Sequence, residues 1–315
     1  MAAPRWILRR VVTLPDGRVF VGPEQRPDIE AAISAAGGRL AALSDAEAII
    51  WTGDEPELLR ASLHPGIRWV QLCAAGVDIW MDPGVIDRQR VWTAAKGVAA
   101  RPIAEHVVCL LLAAARDLPR RLAARSWSDP AGRSLSGTTV GIVGCGSIGA
   151  ALVNLLAPFG ASSIALTRTG RTVPGATCSL GAGALDSLLA DSDWVIVAAP
   201  ATPKTTRMID RRALGLMRPH SWIINVSRGS IVDTDALVHA LREGRIAGAA
   251  LDVTDPEPLP TGHPLWTLPN AIVTPHTATT PAMHASSLCS RIQGNLSRFR
   301  SGKGLIGVID VEEGY

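Results

Sequence analysis

The stretch Thr138-Thr139-Val140-Gly141-Ile142-Val143-Gly144-Cys145-Gly146-Ser147-Ile148-Gly149 constrains this chain more than any other. Thr139, Val140, Ile142 and Val143 are β-branched and close together, as in a short buried strand. They run straight into three glycines spaced G-x-G-x-x-G, with the helix-forming Ala150 to Leu156 behind them. A strand, a glycine turn and a helix in that order mark the phosphate-binding start of a dinucleotide fold. Gly144 would permit the tight turn, Gly146 would clear the approach of a pyrophosphate, and Gly149 would let the helix lie close on the strand. Free N–H groups at the helix start, around Ser147 and Ile148, would then face the phosphates with the helix dipole behind them.

At 315 residues the chain is longer than one hydrophobic core usually serves, so two domains are expected. Hydrophobic residues at 47% and charged residues at 19% describe a globular chain with a large core. The net charge of +3 and the scattered arginines argue against nucleic acid as a partner. Five cysteines (Cys73, Cys109, Cys145, Cys178, Cys289) lie far apart, with no C-x-x-C and no metal-ligand spacing to the seven histidines. That pattern predicts reduced thiols, a cytoplasmic setting and no bound metal. Met1–Arg10 has arginines on both sides of a short apolar stretch and lacks the apolar core of a secretory leader. The longest apolar run, Val107–Ala115, is too short to span a bilayer, so no membrane partner is expected.

Along the first hundred residues, apolar runs at Ala48–Trp51, Ile67–Leu72 and Val91–Ala94 accompany helical stretches at Ala31–Ala36 and Pro56–Leu63. This alternation predicts a parallel sheet with covering helices. The loop Cys73-Ala74-Ala75-Gly76-Val77-Asp78 follows one of these strands and could offer backbone N–H groups to a carboxylate, although an ordinary βα turn would look the same. Ala99–Arg116 reads as a long buried helix, with Pro102 near its start, Glu105 in its first turn and Pro119 beyond its end. A polar stretch, Ser126–Ser136, leads to the glycine-bearing strand. Strands at Ser163–Leu166, Trp194–Ala198, Trp222–Val226, Gly248–Val253 and Ala271–Val273 then build a second parallel sheet. Asp233 is placed to cap a helix over Thr234–Arg242 that Gly244 closes, and a last helix runs near Ala282–Arg300. The fold class is therefore α/β, with two Rossmann-like domains built on parallel sheets.

Three later stretches each follow a predicted parallel strand: Asn225-Val226-Ser227-Arg228-Gly229-Ser230, Leu251-Asp252-Val253-Thr254-Asp255-Pro256-Glu257-Pro258, and Thr274-Pro275-His276-Thr277-Ala278. The carboxyl ends of such strands are where open α/β sheets bind ligands. Singly, Arg228 could be a surface ion pair, Glu257 a solvated loop residue and His276 a satisfied loop histidine. Together beside a dinucleotide site they are equipment for hydride transfer to a carbonyl. Arg228 would hold and polarise an α-keto acid through its planar fork, His276 would supply the proton, and Glu257 would keep the imidazole charged.

These stretches resemble the D-isomer-specific 2-hydroxyacid dehydrogenases over nearly the whole chain. Besides the glycine fingerprint, the matching pieces are Ala75-Gly76-Val77-Asp78, Ala104-Glu105-His106, Asn225-Val226-Ser227-Arg228-Gly229, Leu251-Asp252-Val253 leading to Glu257-Pro258-Leu259, His263-Pro264-Leu265-Trp266 and Thr274-Pro275-His276. The resemblance implies that Arg228, Glu257 and His276 are catalytic and that Arg228 and His276 also touch the substrate. It implies that the Ala75 and Gly76 amides hold the substrate carboxylate and that Asp252 meets the nicotinamide carboxamide. It further implies a discontinuous substrate-binding domain, residues 1–100 and 281–315, around an inserted dinucleotide-binding domain, residues 101–280. Closure of the domains on ligand and a homodimer are expected on the same ground. The sequence Thr277-Ala278-Thr279-Thr280 departs from the Ile-Ala-Gly of many relatives. Ala95-Lys96-Gly97-Val98 and the loop Thr167–Arg171 look most like the glyoxylate and hydroxypyruvate reductase branch.

The expected cofactor is NADP, with NAD possible. An NAD-selecting fold carries a carboxylate about 20 residues past the glycines for the ribose 2′-hydroxyl. Here that place is Thr167-Arg168-Thr169-Gly170-Arg171, with no Asp or Glu from Ala150 to Leu185. Arg168, Thr169 and Arg171 are therefore assigned to a 2′-phosphate. Ala199, Pro200, Val226 and Ser227, at the ends of the next strands, complete the expected cofactor site. A small 2-keto or 2-hydroxy acid is the expected substrate. An alternative from another class is a non-catalytic dinucleotide sensor, like the transcriptional co-repressors that resemble this family.

Overall fold

A computed structural model describes residues 17–81, 84–127, 129 and 132–315. The stretch Met1–Arg10 and parts of Ser126–Ser136 lie outside the described residues. The chain divides into two compact units, one running to Ala99 and resuming at Pro281, the other spanning Ala100–Thr280.

The first unit contains β1 (Arg18–Gly22), α1 (Pro27–Ala35), β2 (Arg39–Leu40), β3 (Ala48–Trp51), α2 (Pro56–Ser62), β4 (Trp69–Leu72), α3 (Asp78–Met81) and β5 (Val91–Thr93). Its sheet is parallel, in the order β2-β1-β3-β4-β5. Every residue of β3 and β4 is buried, so these strands read as unbroken apolar runs rather than alternating ones. The polar exception, Gln71 in β4, accepts through Oε1 from Asn295 Nδ2 at 3.0 Å, which ties the returning C-terminal helix to this sheet. The strand β1 escapes the hydropathy reading because it is short and flanked by turn residues. The strand β2 escapes it because both of its residues are exposed.

The second unit holds α4 (Ala100–Ala115), α5 (Leu118–Ala123), β6 (Thr139–Val143), α6 (Ser147–Leu156), β7 (Ser162–Thr167), β8 (Cys178–Gly181), α7 (Leu185–Asp191), β9 (Trp194–Val197), α8 (Arg211–Leu216), β10 (Trp222–Asn225), α9 (Thr234–Arg242), β11 (Gly248–Leu251) and β12 (Ala271–Val273). The helix α10 (Pro281–Arg300) then belongs to the first unit. Asp233 caps α9 as expected, its side chain accepting from Ala236 N–H at 2.9 Å. The seven strands are parallel in the order β12-β11-β10-β9-β6-β7-β8. The chain moves outward one way from β6 through β7 to β8, then returns to β9 on the other side. The crevice at the carboxyl ends of β6 and β9 is thus the topological switch point where such sheets take ligands.

Two features differ from the sequence reading. The edge strand β8 has no bulky apolar residue except Leu180 and exists by pairing with β7, from Ile164 opposite Cys178 to Thr167 opposite Gly181. Strand pairing also stops earlier than the apolar runs do: Ala198, Val226, Asp252 and Val253 lie in loops beyond β9, β10 and β11. Those loops stay buried at their roots, with Val226 at 6% and Val253 at 2% exposure, so hydropathy alone continues the strand past its end. Among the described residues no helix is long and apolar enough to cross a membrane.

Candidate active site

Each fingerprint glycine does a different job. Gly144 has φ +85°, and a Cβ there would lie 2.3 Å from Ala199 Cα, so the turn after β6 closes directly on the residue that follows β9. A Cβ on Gly149 would lie 2.7 Å from Cys145 Sγ and 3.0 Å from Ile142 Cγ2, which fixes how closely α6 lies on β6. By contrast, a Cβ on Gly146 would meet nothing within 4 Å. The first intrahelical bond of α6 runs from Ala150 N–H to Gly146 O, and no side chain caps the helix. The N–H groups of Ser147, Ile148 and Gly149 therefore have no acceptor within the helix. Open space over Gly146 beside uncapped amides fits a dinucleotide pyrophosphate.

The arginines after β7 are divided. Arg171 Nη2 donates to Cys145 O at 3.0 Å, so its guanidinium is anchored on the glycine turn itself. Arg168 and Thr169 are exposed at the strand end, and Thr169 bridges to Gly181. Burial pushes the Cys145 thiol up to about 11, with Arg171 opposing, so the turn carries no thiolate charge at neutral pH. Pro200 O accepts from Thr205 Oγ1 at 2.7 Å, which shapes the loop after β9.

Loops after three neighbouring strands, β10, β11 and β12, carry the arginine, the glutamate and the histidine. In the first loop, buried Asn225 folds the chain on itself: its Nδ2 donates to Arg228 O at 2.9 Å and its Oδ1 accepts from Ser227 N–H at 3.1 Å. Arg228 Nη1 donates to Ser227 O at 2.8 Å. A Cβ on Gly229 would fall 1.9 Å from Thr254 O, so the arginine and glutamate loops are in backbone contact where only glycine fits. The imidazole of His276 donates from Nδ1 to Glu257 Oε1 at 2.6 Å, and the two side chains are 54% and 40% exposed. That bond leaves Nε2 for a ligand.

Asp252 holds the histidine loop from behind. Its Oδ1 accepts from Thr274 Oγ1 at 2.6 Å and from Thr277 N–H at 2.8 Å, and its Oδ2 accepts from Ala278 N–H at 3.0 Å. His276 N–H donates to Asp252 O at 2.8 Å. Burial works to raise the Asp252 carboxyl, but bonds from His106, Thr274, Thr277 and Ala278 outweigh it and hold the group at about 2. The contact of Thr277 with Asp252 runs through its backbone N–H, so this bond does not depend on which side chain stands there. His276 itself sits in the left-handed region, φ +52°, a conformation that costs of order 1–3 kcal/mol and must be imposed by its surroundings.

Ala75 and Gly76 lie in the first unit, in the loop between β4 and α3. Neighbouring Ala74 O accepts from Ala95 N–H at 2.9 Å, and Cys73 N–H donates to Trp51 O at 3.2 Å. Among the described residues the N–H groups of Ala75 and Gly76 have no backbone acceptor. Sequence reasoning gave no role to Asn225, His106 or Thr274. All three fall inside the motif stretches, which was the available signal; their partners are set by the fold.

The sequence profile of the D-isomer specific 2-hydroxyacid dehydrogenase NAD binding domain matches residues 108–278. A glyoxylate/hydroxypyruvate reductase B of Yersinia pestis (strain Pestoides F) is 34% identical over 247 residues, 75% of this chain and 76% of that protein. Among solved structures, a D-isomer specific 2-hydroxyacid dehydrogenase from Xanthobacter autotrophicus Py2, in complex with NADPH and MES, is 29% identical with a TM-score of 0.85, covering 96% of this chain and 100% of that one. An NADPH-dependent glyoxylate/hydroxypyruvate reductase from Sinorhizobium meliloti, in complex with NADP and sulfate, is 25% identical with a TM-score of 0.82, covering 95% and 100%.

Proposed function

The chain belongs to the D-isomer specific 2-hydroxyacid dehydrogenases and is an oxidoreductase, and on that premise we propose that it reduces a small 2-keto acid, of the glyoxylate and hydroxypyruvate kind, to the D-2-hydroxy acid with NADPH preferred to NADH. The observation that carries this reading is the 2.6 Å His276–Glu257 pair, set one loop away from Arg228 on the carboxyl ends of adjacent strands. Arg228 binds the substrate carboxylate and keto oxygen, where its fork suits two acceptors in one plane. His276 Nε2 gives its proton to the keto oxygen as the alcohol forms. Glu257 fixes the imidazole orientation through Nδ1 and offsets its positive charge. When bound, the reduced nicotinamide supplies the hydride. Gly144, Gly146 and the Ser147, Ile148 and Gly149 amides would hold its pyrophosphate, and Ala199, Pro200, Val226, Ser227 and Asp252 would complete its site.

Preference for NADPH rests on the exposed Arg168 and Thr169 after β7, with no acid in the following loop, and relatives of known structure carry NADP or NADPH. Each charge-assisted bond to a 2′-phosphate is worth roughly 1.5–3 kcal/mol, tenfold or more in selectivity. The same reading takes the protein to be a cytoplasmic homodimer, on family resemblance and its free cysteines. The sensor reading is disfavoured because the named relatives are reductases. The test is a kinetic panel of glyoxylate, hydroxypyruvate, pyruvate and bulkier keto acids with each cofactor. Turnover of a short keto acid with higher kcat/KM for NADPH, lowered by Arg168→Asp, is the expected result. No turnover with any keto acid overturns the reaction, and equal efficiency with both cofactors overturns the preference.

A further inference from the structure

We propose that His106, on α4, is a positioning residue for the proposed reduction and sets His276 through Thr274 and Asp252. His106 stands outside the catalytic loops, and its side chain is 17% exposed. Its Nε2 lies 3.2 Å from Thr274 Oγ1 and 3.4 Å from Asp252 Oδ1. The direction of the chain of bonds follows from the number of protons. Thr274 has one hydroxyl proton, and it goes to the Asp252 carboxylate at 2.6 Å, a charge-assisted bond. The Thr274 oxygen is left as an acceptor, so His106 donates Nε2–H to it and, more weakly, to the carboxylate.

What this chain of bonds holds is the backbone on both sides of the acid. Thr274 precedes His276 by two residues, and Thr277 and Ala278 follow it. Asp252 grips the hydroxyl of the first and the N–H groups of the other two, while its own carbonyl takes His276 N–H. His276 is thereby kept at φ +52° with Nδ1 on Glu257. Without the His106 donor, the Thr274 hydroxyl oxygen loses its partner, and the side of the clamp that precedes His276 is held by the single bond from Thr274 to Asp252. The helix α4 packs on β10 and β11, so His106 offers a fixed point on the sheet against which the loop is registered.

The inference rests on the functional reading above, and its test separates the two. His106→Leu removes the donor, His106→Gln replaces it with an amide N–H at similar reach, and Thr274→Val removes the hydroxyl without changing size. For keto-acid reduction, His106→Leu and Thr274→Val are each expected to lower kcat about tenfold. The double variant should lose no more than either alone, and His106→Gln should recover most of the loss. A second readout needs no turnover: the ring carbon resonance of 13C-labelled His276, identified by its absence in His276→Asn, should move in His106→Leu and Thr274→Val and return in His106→Gln. The resonance of His239, on α9, should stay where it is. Should His106→Leu fail to fold, Thr274→Val and His106→Gln carry the test. Additive losses, an unmoved His276 resonance, or unchanged kcat in both single variants would overturn the proposal. Absence of keto-acid turnover in the wild type would overturn the functional reading instead, and the resonance would still decide the coupling.

Discussion

His276 Nδ1 and Glu257 Oε1 lie 2.6 Å apart although the residues sit on separate loops, one after β12 and one after β11. The bond fixes which nitrogen faces a substrate. Replacing His276 with Asn removes the proton donor and is expected to lower kcat by about 10²–10⁴-fold. Glu257→Gln keeps an acceptor for Nδ1–H but loses the charge, so its loss should be smaller. Steady-state kinetics on both variants check this; an Asn variant with near-normal turnover would remove His276 from the mechanism.

Arg228→Lys should behave as a severe change. The lysine preserves charge but lacks the planar pair of donors, and the Nη1 bond to Ser227 O that steadies the side chain is lost with them. Both a higher KM for the keto acid and a lower kcat are expected. Unaltered constants would mean that the fork is not used.

The glycines of the turn should separate cofactor binding from folding. A methyl at Gly146 enters open space, so Gly146→Ala should leave the melting temperature nearly unchanged and weaken dinucleotide binding at least tenfold. A methyl at Gly144 meets Ala199 Cα at 2.3 Å and demands φ +85° of an alanine, so Gly144→Ala should destabilise the fold by roughly 1–3 kcal/mol or more. Thermal melts together with fluorescence titration by NADPH test the pair. The idea fails if Gly146→Ala melts early or binds NADPH normally.

Acid should loosen the histidine loop. The Asp252 carboxyl is held at about 2 in the folded chain, below its ordinary 3.8, so the folded state favours the anion. The stability this contributes is complete above about pH 4 and is lost as pH falls through about 2. Asp252→Asn, which cannot ionise, should lose this part of the acid sensitivity, and the stability gap between wild type and variant should shrink by about 2 kcal/mol from pH 5 to pH 2. Urea unfolding across that range is the measurement; a constant gap would show that the carboxylate is not what the loop depends on.

The dinucleotide turn was legible in the sequence because its parts are local. Gly144, Gly146 and Gly149 act on their own strand, turn and helix, and Asp233 caps a helix that begins at the next residue. Strand identity was legible for a similar reason, since strands buried on both faces, such as β3 and β9, are apolar throughout. The order of Arg228, Glu257 and His276 behind successive strands followed from that, and with it the class of chemistry.

Only the tertiary structure decided how those groups are held. The left-handed φ of His276, the contact of Gly229 with Thr254 O and the anchoring of Arg171 on Cys145 O all depend on which strand lies beside which and in what register. The clearest case is His106 and Thr274, 168 positions apart in the chain and 3.2 Å apart in the fold. No local pattern encodes such a pair. Its existence comes from α4 packing against the sheet that positions β11 and β12, because a hydrogen bond depends on distance and angle in space, and sequence separation enters neither.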